Sequence, residues 1–180
     1  MHGGTLERRH ATEVRASGRR LEGYAATFNA EARIGTFVET IAPGAFRSAL
    51  AGDVLALLDH DTGKVLGRTR SGTLRLSEDT RGLSFSLDLP DTQAGRDALA
   101  LAERGDLGGM SFGFTVPKGG ESWNGERRTL NAVGLREISV VSAWPAYPET
   151  EIALRAAYVA NGAQDARRRR LIMAELGAWA

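Results

Sequence analysis

Histidine is informative through scarcity: of His2, His10 and His60, the first two fall in a polar leader without period, so His60 is the imidazole expected in the folded region. It follows the apolar run Val54-Leu55-Ala56-Leu57-Leu58 and stands between Asp59 and Asp61, at the end of an expected buried strand, where catalytic groups are commonly presented. On position alone, a histidine of a surface turn is the simpler reading. Gly108 to Val116 alternates, with Met110, Phe112, Phe114 and Val116 on one face and Ser111, Gly113 and Thr115 on the other. With the apolar face turned inward, Ser111 is expected on an exposed face, where Gly109 and Gly113 leave its hydroxyl open to a substrate backbone. A bulge or close backbone packing would use the same residues.

A serine hydroxyl is a weak nucleophile until a base accepts its proton, and the base works better when a third group orients it. With no second histidine expected in the domain, that group would be an acid. Glu137 is the best placed, because a carboxylate in the otherwise apolar run Leu135 to Val141 calls for a partner. Pairing with Arg136, Arg127 or Arg128 would satisfy it equally well. Asp59 and Asp61 are weaker candidates, since residues adjacent to His60 rarely fold back on its ring. Asp61-Thr62-Gly63 also reproduces the tripeptide of aspartic proteases, whose paired carboxylates share a proton; one copy would need a homodimer to supply the second. Donors for an oxyanion would be backbone N–H groups near the glycines around Ser111, or Arg127 or Arg128.

Other chemistries are poorly served. The chain has no cysteine, which removes thiolate nucleophiles, disulfides and cysteine-ligated zinc, and fits a reducing cytosol. One expected core histidine leaves no metal cluster, and there is no phosphate-binding glycine loop. No cofactor is expected. The net charge of +1 provides no long-range field for nucleic acid or anionic lipid, and Arg167 to Arg170 reads as a solvated helix face. No apolar stretch approaches the ~20 residues of a membrane span.

The elements that must position these groups are mostly strands. Apolar runs at 21–28, 34–41, 54–60, 65–69, 73–76, 83–89, 110–116, 127–130 and 135–141 are separated by turn residues, among them Asp61-Thr62-Gly63 and Asn124-Gly125. One helix is expected from Pro43 to Gly52, a second from a cap at Asp91 or Thr92 to Gly105, and a third over 164–176. At 180 residues the chain fits one domain: a flexible N-terminal arm over 1–18, a domain over 19–156 and a C-terminal helical tail over 157–180. The expected fold is mainly β with helices, a closed or nearly closed barrel decorated by a few of them.

Several segments, taken in order, resemble the tailed-phage prohead protease family, which is similar in fold to the herpesvirus assemblin protease. They are Gly23-Tyr24-Ala25 with Phe28-Asn29, Ile41-Ala42-Pro43-Gly44-Ala45-Phe46, Leu58-Asp59-His60-Asp61 with Leu66-Gly67-Arg68, and Gly72-Thr73-Leu74-Arg75-Leu76. They continue through Leu89-Pro90-Asp91-Thr92, Arg104-Gly105-Asp106-Leu107, Met110-Ser111-Phe112-Gly113-Phe114 and Leu135 to Val141, closing on Pro145-Ala146-Tyr147. The resemblance implies a herpesvirus-protease-like closed β-barrel and a serine endopeptidase of capsid maturation, with His60 and Ser111 at the family's histidine and serine. It implies cleavage of scaffold, or of the scaffold-like arm of the major capsid protein, and of the enzyme itself, in the assembling capsid in the host cytoplasm. A homo-oligomer that binds neither nucleic acid nor membrane is the expectation. The herpesvirus relatives use a second histidine as third member; Glu137 is the choice here. The alternative on the same fold is a non-catalytic assembly or scaffold module.

Overall fold

A computed structural model of the protein describes residues 7–11 and 14–142. In chain order the strands are β1 (Glu7–Ala11), β2 (Val14–Ser17), β3 (Arg20–Thr27), β4 (Ala32–Ile34), β5 (Phe37–Ile41), β6 (Leu55–Leu58), β7 (Asp61–Arg68), β8 (Leu74–Glu78) and β9 (Gly82–Asp88). Helix α1 (Gln93–Arg104) follows, then β10 (Gly109–Thr115), β11 (Glu121–Asn124), β12 (Arg127–Leu130) and β13 (Gly134–Val141). They form three sheets with strand orders β1-β10-β13-β6-β7, β11-β12-β5-β4 and β2-β3-β9-β8.

Every sheet ends on strands with a single partner, so the expected closed barrel is not formed; the described residues are mainly β with one α-helix. The sheets share a core. The β10 face carrying Met110, Phe112 and Phe114 is buried as its alternation predicts. Phe112 stacks on Phe114 at 5.2 Å and meets Phe46 edge-on at 5.5 Å, which in turn stacks on Phe28 at 6.2 Å.

Helix α1 has the expected caps: Thr92 accepts from the Gly95 N–H at 3.2 Å, and Gly105 closes it at φ 76°. The helix expected over 43–52 is instead a series of turns. Gly44 sits at φ 93°, outside helical space, and the bonds that follow run mostly three residues back, from Ala45 to Ala42, Arg47 to Gly44 and Ala49 to Phe46. The segment still buries Ala45 and Phe46 completely. The helix expected over 164–176 lies outside the described residues.

The leader expected as a flexible arm supplies two strands. β1 adds to β10, and β2 to β3. β1 is charged, and ion pairs hold it, whereas Val14 of β2 packs against the core. Arg9 bonds Glu39 at 2.5 and 2.7 Å and Glu7 at 2.9 Å, while Arg128 on β12 reaches Glu7, Glu39 and Glu121 between 2.5 and 2.9 Å. Burial opposes charge on Arg128, yet the Glu7 bonds and the Glu7 and Glu39 charges hold its pKa above the ordinary value. Burial likewise opposes ionisation of Glu7, and Arg128 and Arg9 nevertheless keep its carboxyl below the usual range.

Removing one member of such a buried network leaves charges uncompensated. Arg128→Ala is expected to destabilise the fold by on the order of 3 kcal/mol, read as a lowered urea midpoint, and to raise hydrogen exchange in β1 most.

Candidate active site

Catalytic geometry here begins with the sheet register. On antiparallel strands, residues directly opposite share a face, and on β10 and β13 Ser111 lies opposite Ser139 and Gly113 opposite Glu137. On the other side of β10, Arg8 lies opposite Gly113 and His10 opposite Ser111. One sheet face therefore carries Arg8 and His10 on β1, Gly113 and Ser111 on β10, and Glu137 and Ser139 on β13.

His60 reaches this face from a tight loop. Leu58 pairs with Asp61, leaving Asp59 and His60 as a two-residue hairpin connection, and both have positive φ, at 52° and 60°. Type I′ hairpin turns require this, and for residues other than glycine it is a strained conformation. Asp59 secures it: its N–H donates to Val140 O at 2.9 Å, and its carboxylate accepts from the Ser142 N–H at 2.8 Å and hydroxyl at 2.6 Å. The turn expected at Asp61-Thr62-Gly63 is thus two residues earlier, and Asp61 to Gly63 begin β7.

The loop brings His60 Nδ1 to 2.7 Å from Glu137 Oε1. Burial opposes ionisation of Glu137, but the bond to His60 and its charge, the Ser139 hydroxyl and the Arg8 charge outweigh it and hold the carboxyl below its ordinary pKa. Its contribution to stability is therefore present above the ordinary carboxylate range and lost as pH falls through its lowered value. Because an ionised carboxylate only accepts, Nδ1 carries the proton of this bond, and in the neutral ring the lone pair is then on Nε2. Ser139 donates to Glu137 Oε2 at 2.5 Å, and Arg8 Nε lies 3.5 Å from Oε1. None of Arg127, Arg128 and Arg136 is the partner of Glu137. Arg127 pairs with Glu31, and Arg128 belongs to the β1 network, so both of these expected oxyanion donors are engaged with carboxylates.

Among the described residues, the buried side-chain polar atoms without a hydrogen-bond partner are His60 Nε2 and Ser111 Oγ. Buried polar groups are nearly always paired, so such an exception calls for an explanation. These are the two atoms that a serine–histidine mechanism would join through a proton.

Two expectations are corrected here. Ser111 is not on an exposed face; it is 0 % exposed, and β10 is buried on both sides. His60 is also not the sole imidazole of the folded region, because His10 stands on β1 with its ring 6.2 Å from that of His60 and nearly perpendicular to it. What favours Glu137 over other partners of His60 is thus its 2.7 Å bond and not elimination. Hydrophobic periodicity missed His10, Arg8 and Ser139, since β1 has no apolar stripe and a serine in a strand carries no signal of its own. Asp61 is half-exposed on β7, with its carboxyl lowered first by the Gly63 N–H and then by Lys64; nothing in this setting favours a shared proton.

Gly113 has a use besides the one expected. A Cβ there would strike Glu137 Oε1 and come within 3.0 Å of Cδ, so the glycine makes room for the carboxylate. Gly113→Ala is expected to push Glu137 off His60 and lower activity by on the order of a hundredfold, with the thermal midpoint measured alongside to show that the protein still folds.

A family model described as caudovirus prohead serine protease matches residues 5–165. The prohead protease of Enterobacteria phage HK97 is 36% identical over 138 residues, which cover 73% of this chain and 58% of that protein. The chain therefore spans little more than half the length of this relative. No solved structure matches it.

Proposed function

The chain belongs to the caudovirus prohead serine protease family, and from that membership we propose that it is a serine endopeptidase of capsid maturation with Ser111 as nucleophile, His60 as base and Glu137 as the group that orients it. The observation that carries this reading is the pair of unsatisfied buried atoms, Ser111 Oγ and His60 Nε2, behind a His60–Glu137 bond of 2.7 Å. Substrate binding draws the two together, as catalytic hydrogen bonds left long without substrate tighten in the complex.

Ser111 Oγ attacks the peptide carbonyl carbon while His60 Nε2 takes its proton, and Glu137 stabilises the imidazolium across Nδ1. The C–N bond then breaks, the amine leaves with the proton from Nε2, and an acyl-enzyme remains on Ser111. Water attacks that ester with His60 again as base, releasing the acid and restoring the hydroxyl. Arg127 and Arg128 are engaged with carboxylates and are not proposed as oxyanion donors.

The proposed substrates are scaffold or the scaffold-like arm of the major capsid protein, and the enzyme itself, cut in the assembling capsid in the host cytoplasm by a homo-oligomer whose fold resembles that of the herpesvirus assemblin protease. Among the described residues no helix is long and apolar enough to cross a membrane. Co-expression with the capsid protein of the same virus tests the reading. The wild type should yield a shortened capsid protein and His60→Ala an intact one; equal cutting by both would overturn it.

A further inference from the structure

Ser139 has no part in the mechanism above, yet its surroundings are unusual for a serine in a sheet. It is 0 % exposed, lies directly opposite Ser111 across β10 and β13, and its backbone neighbour on β6 is Leu57. Its hydroxyl gives its proton to Glu137 Oε2 at 2.5 Å, and therefore not to Ser111.

The two oxygens of Glu137 are served differently. Oε1 accepts from His60 Nδ1 at 2.7 Å and has Arg8 Nε at 3.5 Å, whereas among the described residues the donor to Oε2 is Ser139. A carboxylate is planar, and its last torsion is soft. One bond leaves the plane free to turn; a bond on each oxygen fixes it. We propose that Ser139 is a positioning residue for the protease reaction, which locks the Glu137 carboxylate in the plane that meets His60 Nδ1. This rests on the reading of Ser111, His60 and Glu137 given above.

In this structure none of the other described groups around the carboxylate donates to Oε2. From β1, Arg8 and His10 approach from the far side of β10; β10 offers only Gly113 and Ser111; β6 offers Leu55 and Leu57; and Asp59 in the hairpin turn is bound to Ser142. Without Ser139, Oε2 is a buried acceptor with no donor, which disfavours the ionised carboxylate and brings its protonation closer to neutrality.

The test uses the full chain, a fluorophosphonate probe that labels activated serines, and the labelling rate as a function of pH. Ser139→Ala is expected to label about tenfold more slowly, with the acidic limb of its profile moved to higher pH, and Ser139→Thr, which restores the hydroxyl, to recover both rate and limb. A rate and limb equal to wild type in the alanine variant would overturn the proposal. So would a slow alanine variant with an unmoved limb that threonine fails to rescue, since that is the pattern of lost packing. If the alanine variant fails to fold, Ser139→Thr alone decides: it must keep the wild-type limb. Labelling that survives Ser111→Ala would instead sink the underlying assignment, so the two failures are distinguishable.

Discussion

Replacing Ser111 with alanine is expected to abolish processing, by at least about a thousandfold, while leaving the protein as stable as before or more so. The loss follows because no acyl-enzyme can form without the hydroxyl, and only binding and oxyanion contacts remain to assist water. The stability expectation comes from a separate observation. Ser111 Oγ is buried with no partner in the described structure, and an unsatisfied buried polar group is unfavourable by roughly 1 kcal/mol or more. Its removal should therefore raise the thermal midpoint slightly, as when a functional group held at the expense of stability is deleted. Processing assays and a melting curve on one sample check both halves. A midpoint several degrees lower would mean that the hydroxyl has a structural bond and that its isolation has been misread.

Glu137→Gln should rank second, with turnover reduced between about a hundredfold and ten-thousandfold. The amide keeps the shape of the carboxylate and can present its oxygen to His60 Nδ1 while its nitrogen faces the Ser139 hydroxyl, so tautomer and geometry can survive. What is lost is the negative charge 2.7 Å from the imidazole, which stabilises the imidazolium formed when Ser111 gives up its proton. Near-normal turnover would reduce the machinery to a Ser111–His60 dyad.

How much of this was legible beforehand varied by element, for physical reasons. The alternation of Met110, Phe112 and Phe114 and the apolar run around Glu137 revealed β10 and β13 because both bury one continuous face against the core. Helix α1 was readable from Thr92 and Gly105, whose local bonds need no tertiary context. β1 was not readable, since Glu7 and Arg9 are held by charges on β12 and β5 that are remote in sequence. Propensity sees neighbours along the chain, and here the partners lie about 30 to 121 residues away. The same limit misplaced the hairpin turn: Asp59 adopts a left-handed conformation because Ser142, at the far end of β13, holds its carboxylate, while the glycine at Gly63 looked like the better turn residue. The fit of Gly113 to Glu137 was not legible, because only the cross-strand register reveals that Glu137 fills the space above it. The helix expected from Pro43 failed locally, at Gly44, where a positive φ takes the chain out of helical space at once.

The central claim, that Ser111 is a nucleophile activated by His60, is tested most directly by treating the full chain with a fluorophosphonate probe and locating the adduct by mass spectrometry. The account predicts a single adduct on Ser111 in the wild type, strongly diminished in His60→Ala. An adduct elsewhere, none in a protein that cuts its capsid protein, or labelling of Ser111 that is indifferent to His60 would contradict it.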